Sequence, residues 1–369
     1  MKILQTVADQ NFGFRFAKPQ RIDEKFLSVV LPIIRETTIT RQYTTLIETD
    51  KVLIFDTGRI DEMEAENQSD DCVFVRSGTI FRGATQERAL QRSIVLFPRR
   101  KTKMPVRCVH ATRGINPNAK GIKQGGITPL AFDQANYSKG YTPKDQSTYW
   151  SNAIKMTNVM KEMKGEKPTH AKSPVKRSLL ARSGPALYSG SISHSDDAPI
   201  TSSLHSHSGL IGGSADAEIG GLDAAEDFFG GGPHFGGQED DLAKEFDSFA
   251  LHFDDVLSKV ERQENQAGFA LITQAGVETV EFFDHQLSWK ALHEAAVKRI
   301  GSNALKQDDT SVFEYKPEAA IKAVRKVLGM DWKENRIYGH KKSNGDPSVE
   351  VTGLTADGYV GEVVEIGDA

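Results

Sequence analysis

Residues 72–113 read CVFVRSGTIFRGATQERALQRSIVLFPRRKTKMPVRCVHATR. Runs rich in Val, Ile and Phe alternate here with turn residues: CVFVRSG (72–78), SIVLF (93–97) and PVRCVHA (105–111). Such runs, bounded by Gly, Pro and Ser, predict β-strands. The stretch holds both cysteines of the chain, two glycine hinges and the polar set Gln86-Glu87-Arg88. Toward the N-terminus the pattern continues in LSVVLPIIR (27–35), TTLIET (44–49) and VLIFDTG (52–58). Asp56-Thr57-Gly58 supplies a turn. Residues 61–71, DEMEAENQSDD, interrupt the run and are expected to form an acidic loop or a short surface helix.

Toward the C-terminus, residues 115–145 carry Pro117, Gly121, Gly125-Gly126, Pro129 and Pro143 and read as irregular. Residues 146–164 have helical spacing of Trp150, Ile154, Met156, Val159, Met160 and Met163. Residues 165–240 are of low complexity, first basic and then Ser/Gly/His-rich. Such composition buries too little apolar surface to offset ordering entropy, so disorder is expected. Beyond it, Leu242, Phe246, Phe249, Phe253, Val256, Leu257 and Val260 form a helical stripe. Residues 268–283 predict a hairpin turning at Gln274-Ala275-Gly276. Residues 288–301 predict a helix N-capped by Ser288, and 317–329 another that opens on Pro317. A hairpin around Asn344-Gly345 and a last strand at 359–367 close the chain.

These elements predict an α+β fold. A β-rich N-terminal part (1–164) packs with the helices and hairpins of a C-terminal part (241–369), and the disordered insertion (165–240) loops out between them. Two independent domains on a tether are the alternative. The length of 369 residues suggests about two units. No run approaches the ~18 apolar residues of a membrane span. MKILQTVADQ lacks a secretory apolar core. A soluble, cytoplasmic protein without a membrane partner is expected. Two cysteines argue against a disulfide scaffold. A net charge of −4 gives no electrostatic case for nucleic acid.

Several side chains are candidates for chemistry. Cys108 and His110 suggest a nucleophile beside a base, activated by Arg107 or Arg113. Against this, residues at i and i+2 of a strand share a face without hydrogen bonding, and a buried apolar cysteine is the plainer reading. Gln86, Arg88 and Arg113 suit a phosphate or carboxylate, because guanidinium forks match such oxygens bidentately. Gly83 would admit a ligand close to the backbone. The competing account is a salt-bridge network with Glu87 or residues 61–71. The basic segment 98–103 is read as a solvated turn. His194, His205, His207 and His234 lack zinc-site spacing, so no metal is expected. No cofactor motif is present: P-loop, GxGxxG, HExxH and GxSxG are all missing.

The segments Gly78, Gly83-Ala84, Gln86, Arg88, then Pro105-Val106, Cys108-Val109 and Arg113, resemble the ARG-and-rhodanese-phosphatase-superfamily-associated protein domain. Its members share a G-x-x-x-x-G-A-x-Q-x-R segment, and then P-V-x-C-V with an arginine five residues past the cysteine. Gly268–Ile272, Phe283-Asp284 and Leu287–Ile300 extend the likeness. The chain departs from the pattern at Thr79, Ile80, Thr85, His110 and Gly114. Acidic residues are common in the family after the first glycine and after C-V, so carboxylates are lost there. The resemblance implies, by association, a nucleotide- or ADP-ribose-like ligand. The rival expectation is a non-enzymatic scaffold that captures a protein partner through residues 165–240. Its support is charge segregation: residues 151–190 carry a net charge of +6 and 214–266 a net charge of −11.

Overall fold

The structure is a computed structural model. It describes residues 14–22, 28–36, 40–83, 87–109, 121–136, 146–163, 165–166, 258–304, 315–328, 332–334, 348–355 and 360–367. The fold is α+β. The N-terminal half supplies strands β1 (Phe14–Phe16), β2 (Gln20–Arg21), β3 (Ser28–Arg35), β4 (Tyr43–Thr45), β5 (Val52–Asp56) and β6 (Glu62–Asn67). It continues with β7 (Cys72–Val75), β8 (Thr79–Arg82), β9 (Arg88–Leu90), β10 (Ile94–Leu96), β11 (Arg100–Cys108) and β12 (Lys123–Ile127). Helices α1 (Leu130–Asn136) and α2 (Gln146–Met163) follow. The C-terminal half supplies β13 (Gln266–Thr273), β14 (Gly276–Phe283), α3 (Gln286–Ala304), α4 (Pro317–Leu328), β15 (Trp332–Glu334), β16 (Ser348–Thr355) and β17 (Val360–Gly367).

Three sheets form. The largest runs β1-β3-β13-β14-β17-β16-β15, with β2 also on β3; the others run β10-β7-β4 and β12-β8-β9-β11-β6-β5. The two halves share the largest sheet, because β3 pairs antiparallel with β13 from Ser28↔Thr273 to Ile34↔Gln266. Pro32 is tolerated in this inner strand for a local reason. β2 pairs with Val29 and Val30, and β1 with Ile33 to Arg35. Pro32 falls at the break between them, where its missing N–H costs no ladder bond.

Trp289 of α3 packs on Phe269 and Phe283, and that core continues into Tyr43, Phe74 and Phe97 of the N-terminal half. Helix α4 covers the other face of the large sheet through Val324, Val327 and Leu328. A separate core of Met63, Val73, Phe81, Ile94, Met104 and Val106 joins strands of the two smaller sheets. Helices α1 and α2 lie over Ile80, Ala89 and Val109.

Residues 61–71 differ from expectation. Glu62–Asn67 is a strand, with Met63, Ala65 and Asn67 wholly buried. Glu64 and Glu66 point outward and meet Lys101 of β11. The alternation has period two, and the acidic composition masked it. The irregular region likewise yields β12 and α1. Helix α3 begins before Ser288: His285 Nδ1 accepts the Leu287 amide at 3.0 Å and caps it. The stripe expected over 242–260 lies outside the described residues up to 257; Val260 is buried in the main core. The turn at Asn344-Gly345 and residues 167–240 also lie outside them.

Candidate functional site

Arg88 sits on β9, fully buried. Its Nη2 donates to both oxygens of Asp56, at 3.0 and 3.1 Å, and its Nη1 donates to the carbonyls of Arg59 and Glu62. One guanidinium nitrogen thus spans both oxygens of a β5 carboxylate, and another is tied to the turn that follows the strand. Cys108 is its register partner across β9 and β11 and is also fully buried. The Cys108 backbone is held by α2. Its amide donates to Gln146 Oε1 at 3.3 Å, and its carbonyl accepts from Gln146 Nε2 at 2.8 Å and Trp150 Nε1 at 3.1 Å. The Gln146 side chain therefore replaces a strand partner where β11 ends.

Gly83 has φ +104°, and a Cβ there would stand 2.8 Å from the carbonyl oxygen of Gly121. The close approach at this glycine is made by backbone entering β12. Arg88 and Cys108 are brought together, and Gly83 lies beyond the end of β8. Gln86, His110 and Arg113 lie outside the described residues.

Two features had no motif in the sequence. The first is a buried charge cluster drawn from both halves of the chain. Arg76, just after β7, and Arg299 of α3 both donate to Glu281 Oε1 of β14, the latter at 3.1 Å. Arg299 Nη2 also donates to Asp133 of α1 at 2.9 Å, and Asp133 accepts from Thr128 Oγ1 at 2.8 Å. Beside them Glu362 of β17 accepts from Ser77 Oγ at 2.8 Å and from Ser93 Oγ. Burial raises the pKa of Asp133 against the pull of Arg299, and raises that of Glu362 against the pull of Arg76. Burial works against the charge on Arg299, and the Asp133, Glu281 and Glu362 carboxylates outweigh it. Arg76, Glu281, Arg299 and Glu362 are each at most 2% exposed, so these groups do not meet solvent directly. No sequence spacing could flag them, since Arg76 and Glu281 are 205 residues apart.

The second feature is a cavity of about 880 Å³ between β5, residues 121–127 and α3. Among the described residues β5 and β12 are the two edges of the six-stranded sheet, and both contribute to the cavity wall. Ile47, Leu53 and Phe55 line the apolar wall and are among the four large hydrophobics that stay exposed in the described residues. Lys123 of β12 and Lys298 of α3 line it as cations, with Asp50 and Glu294 as the acids. Lys298 Nζ lies 2.6 Å from Glu294. At Gly125 a Cβ would stand 2.2 Å from Arg82 Cδ, so the Arg82 stem packs across that glycine. Among the described residues no group of three or more His, Cys, Asp or Glu could hold a metal ion. No helix there is long and apolar enough to cross a membrane.

The fold and these sites define a mixed α+β protein whose N-terminal strands carry the glycine and P-V-x-C-V segments. Residues 15–188 match the family model of the ARG and Rhodanese-Phosphatase-superfamily-associated Protein domain. The match takes in Gly78 to Arg113 and ends before the second block of likeness at 268–300. No curated protein and no solved structure matches the chain.

Proposed function

We propose that the protein binds a phosphate-bearing, nucleotide- or ADP-ribose-like compound in the cavity between β5, β12 and α3. The observation that carries this reading is the wall composition. Exposed Ile47, Leu53 and Phe55 face the same cavity as Lys123 and Lys298. An apolar wall with a few convergent polar groups is the usual make-up of a small-molecule site, and the volume falls in the ~300–1,000 Å³ range of such sites. Phe55 offers a ring face to a base, and the lysines offer point charges to phosphate oxygens. Gly125, with the Arg82 stem across it, and Gly126 line the β12 side. Arg88 enters indirectly, by holding Asp56 at the end of β5, next to Phe55. Gln86, Arg113 and His110 stay in the proposal on the strength of the sequence alone, while Cys108 is fully buried on β11 and does not line the cavity.

Calorimetry with ADP-ribose, NAD and ADP tests it. Wild type should give heat with at least one of them. Lys123→Glu and Phe55→Ser should each weaken binding about tenfold or more, as loss of about 1.4 kcal/mol does. No heat with any of the three, or wild-type affinity in both variants, overturns the site. Deleting residues 166–238 addresses the scaffold alternative: partners lost in pull-downs while ligand heat is retained would assign a separate binding role to that segment.

A further inference from the structure

We propose that the buried Glu281–Glu362 pair is a proton-binding site that couples the attachment of β16 and β17 to pH. Strands β14 and β17 run parallel, and Glu281 and Glu362 are register partners. Neighbouring strands lie about 4.8 Å apart. Both carboxyls are at most 1% exposed, and two carboxylates sharing such a site do not both ionise readily.

The surrounding groups decide which one holds the proton. Arg76 and Arg299 both bind Glu281. Glu362 meets the hydroxyls of Ser77 and Ser93, which donate to an ionised carboxyl and accept from a neutral one. Asp133 from α1 adds a further acid to the cluster through Arg299. On the far side, β16 pairs Thr352 with Val363 and Leu354 with Val360. Burial raises the Glu362 pKa; Arg76 opposes this and Glu281 reinforces it.

The sheet order β14-β17-β16 makes β17 the link between the hairpin β13–β14 and the last strands. If β17 lifts away, Glu362 returns to water, where a glutamate titrates near ~4.3. The attached state keeps its proton to higher pH. Its stabilisation is therefore fully present below the free value and is lost as pH rises through the attached-state value. Between the two values the opening equilibrium grows about tenfold per pH unit. The device is independent of the cavity, so it stands or falls separately from the ligand.

Hydrogen exchange on the full chain tests it, read by mass spectrometry from about pH 5 to about pH 8 and corrected for intrinsic rates. Protection of residues 360–367 should fall with pH, by up to about tenfold per unit. Strands β6 and β11 should stay flat, and Glu362→Gln should remove the slope. Constant protection of 360–367 in wild type, or an unchanged slope in Glu362→Gln, overturns the proposal. Infrared titration of wild type, compared with Asp133→Asn because Asp133 is also raised by burial, keeps the proposal falsifiable even if Glu362→Gln does not fold. A buried un-ionised carboxyl band that persists above the ordinary glutamate range and then disappears supports it; its absence at mildly acidic and neutral pH overturns it.

Discussion

Two sets of ion pairs in this molecule use the same chemistry in opposite surroundings. On the outer face of β6 and β11, Lys103 reaches Glu62 at 3.1 Å and Lys101 reaches Glu64 at 3.2 Å, with both lysine side chains more than half exposed. Inside, Arg76 and Arg299 converge on Glu281, with all three at most 2% exposed. Water reaches the lysine end of each outer pair, so pairing adds little there, although Glu62 itself is buried. The inner charges have given up hydration, and each depends on its neighbours. The inner cluster is also incompletely satisfied: Arg76 Nε, Arg299 Nε and Glu281 Oε2 are buried without a hydrogen-bond partner. Its components come from both halves of the chain, so it links them through charge as well as through apolar packing. The outer ladder joins only two adjacent strands.

The largest effect expected from this contrast is at Arg299. Arg299→Ala leaves Glu281 and Asp133 buried with fewer cations and should destabilise the protein by about 3–5 kcal/mol. Urea or thermal unfolding measures it. A loss below about 1 kcal/mol would mean that water reaches the cluster and that the two regions do not differ. Arg88→Ala belongs with the inner set, because it strands Asp56 in the same way. Its loss of stability therefore has to be measured before any loss of ligand binding is assigned to contact.

The contrast also explains what could be read without coordinates. Strands such as SVVLPIIR and CVFV were legible because their own side chains are apolar enough to demand burial. The hairpin β13–β14 and helices α2 and α4 were legible through local period and turn residues. Strand β6 was not: three glutamates in six residues suggest solvent until β11 is known to place lysines beside them. β12 and α1 were hidden for a related reason, since Gly125-Gly126 carries no apolar pattern and α1 has only seven residues. Within the site stretch, Arg88 stood out as an anion contact, yet the partner that the fold supplies is Asp56, which the sequence reading used only as a turn residue. The Glu281–Glu362 pairing depends on a parallel register between strands 81 positions apart, which no local signal encodes.

The smallest effect belongs to the outer ladder. Lys101→Ala should change stability by less than about 1 kcal/mol, and by less still at high salt, where exposed charges are screened. Lys101 has a second contact, however: its Nζ lies 5.3 Å from the centre of the Phe55 ring. Phe55 lines the cavity, so this lysine touches the candidate ligand site from its flank. The substitution should therefore leave the melting temperature nearly unchanged while shifting ligand affinity by a few-fold at most, the scale of an exposed cation–π contact of about 0.5–1 kcal/mol. Parallel melting and calorimetry measure both quantities. A large loss of stability would show that the ladder is not the solvated surface feature its exposure indicates, and the comparison with the inner cluster would fail from that side.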